Sequence, residues 1–147
     1  MIISIFTQLI LTIGIAICFS IMLKVPPKHI PLSVLTGCLG WTCYHIVTSA
    51  QGDPTLACFL SAAVIEFFSN IFARVFKCAS TVFTIPGIIF LVPGTKVFST
   101  MTAMLNSDLN SSVSLGIEAL LLAGSIALGL LVVGAAINLV KRIIEQD

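Results

Sequence analysis

Five apolar runs, each long enough to cross the roughly 30 Å hydrocarbon core of a bilayer, dominate this chain. They fall at 2–23, 30–49, 54–76, 81–104 and 113–140, separated by the short polar or kinking stretches Lys24–Pro27, Gln51–Pro54, Lys77–Ser80 and Asn106–Ser112. Loops this short force consecutive spans to run up and down. The pattern predicts an all-α membrane protein, one transmembrane domain over 1–147 with about five helices. Composition removes the soluble alternative: 9% charged residues, against roughly 25% in a typical globular domain, could not cover a water-facing surface. The last run is the longest and is expected to tilt or to begin with an extra turn in the interface.

Residues 1–23 carry no Lys or Arg ahead of the apolar run, whereas a secretory signal has its positive charge in front; the segment is expected to be a retained helix. Lys24 and Lys28, Arg74 and Lys77, and Lys141 and Arg142 fall at alternate ends of a five-span chain, while Asp53 and Asp108 occupy the other end. The positive-inside rule then places the N-terminus outside and the C-terminus in the cytoplasm. The net charge of +1 gives no field that would attract nucleic acid. Cys18, Cys38, Cys43, Cys58 and Cys78 contain no C-x-x-C pair and read as apolar thiols, so neither a disulfide framework nor a metal or other cofactor is expected. No phosphate loop, nucleophile elbow or metal-spaced His/Cys set points to an enzyme.

Glu66 lies midway along the third span, where an unpartnered charge costs at least about 2.5 kcal/mol. Stepping by three and four from it gives Phe59, Ala62, Ala63, Ser69, Asn70, Ala73 and Arg74, a mostly small and polar stripe of the kind that faces other helices or a water path. Desolvation favours the neutral acid at this depth. Glu66, with Asn70 one turn on, is therefore either a hydrogen-bonded structural acid or a group that carries a proton.

The fourth span, TVFTIPGIIFLVPGTKVFSTM, holds two Pro-Gly pairs, Pro86-Gly87 and Pro93-Gly94. Each removes a backbone donor and loosens the helix, so the span is expected to be discontinuous, with unwound backbone between the pairs. Breaks of this kind line substrate sites in transporters because half-helix ends present unpaired backbone groups. A helix restarting after Gly94 places Thr95 and Lys96 in its first turn, where a cation opposes the dipole but suits an anion; the alternative is two plain kinks with Lys96 snorkelling to the interface. The weaker candidates are His45, a packed histidine or a proton relay on the face of Ser33, Gly37 and Trp41, and Glu118, an interfacial carboxylate. Ala119, Ala123 and Ala127 form a small-residue track that predicts close packing of the last helix.

The double motif TIPGIIFLVPG (Thr84–Gly94), the preceding ARVFKCASTVF (Ala73–Phe83) and the opening KVPPKHIPLSVLTGCLGW (Lys24–Trp41) resemble the C-terminal half of bacterial threonine/serine exporter family proteins. The chain departs from that pattern at Ala79, Ser80 and Phe90, and at Lys96, where the family residue is often small. The resemblance covers essentially the whole chain and implies the small subunit of a split exporter in the bacterial inner membrane. Its partner would be a larger exporter subunit with its own transmembrane helices. The implied substrate is a small amino or carboxylic acid, either threonine and serine or a dicarboxylate such as succinate, exported by proton motive force. In that reading Pro86, Gly87, Pro93, Gly94, Thr95 and Lys96 line the substrate path and Glu66 with Asn70 couples protons. The competing readings are a non-transporting structural subunit and a homo-oligomeric channel.

Overall fold

The computed structural model describes the backbone of residues 2–144, and the side chains of that range except at positions 2–6, 51, 141, 142 and 144. Its helices are α1 (Ile2–Met22), α2 (Ile30–Gln51), α3 (Pro54–Phe76), α4 (Thr81–Ile88), α5 (Gly94–Leu105) and α6 (Leu109–Ile144), with a 3-10 turn at Ile89–Leu91. Among the described residues α2, α3 and α6 are long and apolar enough to span a bilayer, and α4 with α5 makes a fourth span, broken and bent by 48°. The expected first span is apolar over Thr7–Met22; the rest of it falls on positions 2–6, outside the described side chains. Lys141 and Arg142, used above for the orientation, are likewise outside them.

Turns end where the backbone demands it. Gly52 closes α2 in the left-handed region (φ 71°), a conformation that costs glycine nothing. Asp53 then caps α3 by accepting the Thr55 N–H at 2.9 Å, with Pro54 at the first helical position. Asp108 plays the same part for α6: its Oδ1 accepts the Ser111 N–H at 3.1 Å, and hydrogen bonding from Ser111 holds its carboxyl below the ordinary range. This cap starts α6 at Leu109, four residues before the expected start at 113.

The core is built from small and hydroxyl residues, and the large apolar side chains face outwards. Among the largest fully buried side chains only Phe83 and Ile65 are large and apolar without being proline; the others include Thr36, Ser20, Ser33, Ser61 and Ser69. Leu105 (86% exposed), Leu120 (74%) and Phe98 (71%) sit on the surface. Helices in lipid gain nothing by hiding leucine from leucine-like tails, so close backbone approach and interhelical hydrogen bonds hold them together. A Cβ on Gly129 of α6 would fall 2.5 Å from the Phe59 carbonyl oxygen of α3. The packing face of α6 runs through Ala119, Ile126 and Gly129, all buried, whereas Ala123 and Ala127 are exposed. The alanine track was thus the wrong stripe: its four-residue step drifts off the contact face that steps of three and four follow.

The break in the fourth span is displaced from the expected position. Pro86 and Gly87 both lie within α4, and the chain leaves helical geometry only at Val92 and Pro93. Pro86 has no N–H to give the Val82 carbonyl one turn back. The Ser33 hydroxyl of α2 stands 3.2 Å from that oxygen and 3.3 Å from its own His29 carbonyl, so its one proton is within reach of the freed acceptor; Thr36 Oγ1, 2.7 Å from Ser33 O, also lies 3.3 Å from the next carbonyl, Phe83 O. Gly87 permits this approach: a Cβ there would lie 3.0 Å from Ile65 Cγ2 and 3.2 Å from Thr36 Oγ1. A donor from the neighbouring helix therefore keeps the first Pro-Gly pair helical. At the second pair Gly94 N–H bonds to Val92 O in a tight turn (2.7 Å) and α5 restarts.

A candidate substrate cavity and a buried carboxyl network

α5 begins at Gly94 as expected, with Thr95 and Lys96 in its first turn. Residues 90–93 with Thr95 and Lys96 form one wall of a cavity of about 540 Å³, completed by α1, α2, the start of α3 and α6. Its polar lining includes Gln8, Thr12, Tyr44 and Thr55, and Trp41 contributes a ring. Lys96 Nζ donates to Glu118 Oε2 at 2.6 Å across the cavity wall, with the two side chains 42% and 54% exposed. Glu118 lies nine residues into α6, about 14 Å along its axis. A cation and an anion on neighbouring helices compensate one another as a pair. The two residues singled out separately in the sequence are thus partners.

Glu66 does not line this cavity. It stands about 15–18 Å from either end of α3, with its carboxyl turned to α4. Thr84 Oγ1 lies 3.0 Å from Glu66 Oε2, and Asn70 Nδ2 donates to Glu66 Oε1 at 2.7 Å and to the Glu66 carbonyl at 2.9 Å. Gly134 of α6 leaves room on the remaining side, since a Cβ there would be 3.7 Å from Oε1. The Thr84 hydroxyl also stands 3.1 Å from Ser80 O, yet it carries one proton. The carboxylate accepts that proton; the neutral acid instead donates to Thr84 Oγ1, which turns its own proton to Ser80 O. The network therefore satisfies Glu66 in both protonation states, and changing state needs only a hydroxyl rotation.

A second cavity ties the network to one end of the bundle. Asn70 and Ser80 line this cavity of about 210 Å³, together with Ala73, Arg74, Cys78, Ile137 and Asn138. Its Arg74 belongs to the end that carries Lys24, Lys28 and Lys77, where the His29 ring packs edge-on against Phe76 (5.4 Å) and Phe83 (5.8 Å) and ties the α1–α2 turn to the α3–α4 turn. Between the two cavities lies the apolar cluster of Cys58, Ala62, Ile65, Leu91 and Ile126, with Tyr44 and Phe90 packed on it. Cys58, Tyr44, Phe90 and Leu91 also line the larger cavity, so the cluster forms its floor.

His45 joins neither cavity; its ring packs on Trp41 at 5.3 Å, and its Nδ1 is 3.4 Å from Ser49 Oγ. Gly87 packs against α2 and α3, and Pro86, Gly87 and Gly94 do not line the cavity, whereas Pro93, Thr95 and Lys96 do. Thr84, Ser33 and Thr36 were not anticipated as site residues. The signal for the last two was available: a proline inside a span frees a carbonyl, and hydroxyls on a neighbouring span at helical spacing are its natural donors. Among the described residues no group of three or more His, Cys, Asp or Glu side chains is placed to hold a metal ion.

No curated protein and no solved structure matches the chain. Residues 8–136 match the family described as "Threonine/Serine exporter, ThrE", a stretch that takes in the broken span, the Lys96–Glu118 pair and the Glu66 network. The chain is a multi-pass membrane protein, and it belongs to the threonine/serine exporter family, a family of transporters rather than enzymes.

Proposed function

We propose that the chain is one subunit of a secondary exporter that moves small hydrophilic amino or carboxylic acids out of the bacterial cytoplasm across the inner membrane, coupled to proton motive force. The observation that carries this reading is the arrangement along the fourth span. Its second half walls a charged cavity, its first half holds the Thr84 contact to Glu66, and an apolar floor separates the two. A carrier needs such a division, because substrate and proton must meet alternating access rather than an open pore. With five spans, the N-terminus is outside and the basic end cytoplasmic, so the larger cavity faces out and the Arg74 cavity faces in.

No residue of α5 is buried, and its exposed residues include Ser99 and Thr102. Polar groups at membrane depth need protein or water against them, which supports a larger exporter subunit completing the pathway on that side. Proteoliposome export assays test the reading. The chain alone is expected not to export threonine, serine or succinate, and addition of the larger subunit is expected to restore flux. Robust export by the lone chain would contradict the shared pathway and favour a homo-oligomer.

A further inference from the structure

We propose that the Lys96–Glu118 pair is a receptor for the two charges of a zwitterionic α-amino acid, and so selects amino acids over dicarboxylates. The inference rests on the transport reading and deepens it. The two side chains neutralise each other at 2.6 Å. Both line the cavity and are substantially exposed, so the pair can be opened without unpacking a helix. The substrate carboxylate takes Lys96 Nζ, and its ammonium takes the Glu118 carboxylate that Lys96 releases.

Charge accounting favours this ligand. An amino acid is neutral overall, so the cavity, neutral before, stays neutral and each of four charges has an opposite neighbour. A dicarboxylate brings two negative charges to a site with one cation. One carboxylate is left unpaired, and the like charge of Glu118 repels it. A site built around paired charges also rejects a ligand lacking one of them, because the abandoned side chain has lost its partner. Lys96 in the first turn of α5 has the positive end of the helix dipole beside it, which reinforces the carboxylate at that position and not the ammonium. Trp41 and Tyr44 wall the site, and Thr12, Thr55 and Thr95 offer hydroxyls for a short polar side chain.

The test is exchange of labelled L-threonine in membrane vesicles from cells in which the chain replaces its own deleted gene, so that any native partner is present. Competitors are L-serine, L-threonine amide, which lacks the carboxylate, 3-hydroxybutyrate, which lacks the ammonium, and succinate. For the unaltered chain L-serine should compete at least about tenfold better than the other three. The double variant Lys96→Met/Glu118→Gln leaves no unpaired charge and should still insert. Its apparent affinity for L-threonine should fall about tenfold or more and its preference over 3-hydroxybutyrate should vanish. Glu118→Gln alone should weaken L-threonine while strengthening succinate, because the repelling carboxylate is gone. Equal competition by all four solutes, or a double variant that keeps the normal preference, overturns the zwitterion receptor while leaving transport intact. Absence of exchange for any of these solutes overturns the transport reading and the receptor with it.

Discussion

Thr84 Oγ1 of α4 stands 3.0 Å from Glu66 Oε2 of α3, so the half of the broken span that does not touch the larger cavity is fastened to the carboxyl at the middle of the bundle. Any change in the protonation of Glu66 reverses the direction of this hydrogen bond.

That link can be cut without altering shape. Thr84→Val keeps the branched side chain and removes the hydroxyl. The loss should destabilise the protein by about 0.5–1.5 kcal/mol, the range for interhelical hydrogen bonds in membranes, measured by denaturation in mixed detergent. It should also shift the pH dependence of gradient-driven export, whereas Thr84→Ser should keep both properties near normal.

Ser33 and Pro86 should show strong coupling. Ser33→Ala leaves the Val82 carbonyl without its substitute donor and should cost about 1 kcal/mol. Pro86→Ala restores a backbone N–H for that carbonyl, so in the Pro86→Ala background Ser33→Ala should cost little. A double-mutant cycle measures the difference; additive effects would mean the serine is not replacing the proline's missing donor.

Gly129 and Gly124 form a matched pair on α6. Gly129→Ala would press a methyl group against the Phe59 backbone, where neither partner can rotate away, and should destabilise the α3–α6 contact by about 1–3 kcal/mol. Gly124 has nothing within 4 Å of an added Cβ, and Gly124→Ala should be neutral or slightly stabilising.

Orientation is open to cysteine labelling. Engineered cysteines near Asp53 and Asp108, in a background cleared of the native thiols, should react with an impermeant reagent from outside; those near Lys28 and Lys141 should not. The reverse pattern would invert the proposed topology.

The helical segments and the discontinuity of the fourth span were legible because apolar run length and Pro-Gly chemistry are local properties. The site of the break was not, because it depends on Ser33, forty-nine positions from Val82, donating to the carbonyl that Pro86 frees. Lys96 stands out as a charge in an apolar run and Glu118 reads as an interfacial carboxylate, but their partnership is set by how α5 folds back on α6, and periodicity carries no such information. The alanine track misled for a related reason. Small residues at a four-residue step mark a possible contact face, and the partner helix decides which face is used.

The central claim is that Glu66 carries the coupling proton, and the most direct measurement compares two transport modes of Glu66→Gln in vesicles. Glutamine mimics the protonated acid and keeps hydrogen-bonding groups toward Thr84 and Asn70, so insertion, folding and partner binding should be nearly intact. Export driven by an imposed pH gradient should fall by about an order of magnitude or more, while exchange of internal for external substrate, which moves no net proton, should survive. If Glu66→Gln retains gradient-driven export at the level of the unaltered chain, Glu66 is a packing residue and the proposed coupling is contradicted.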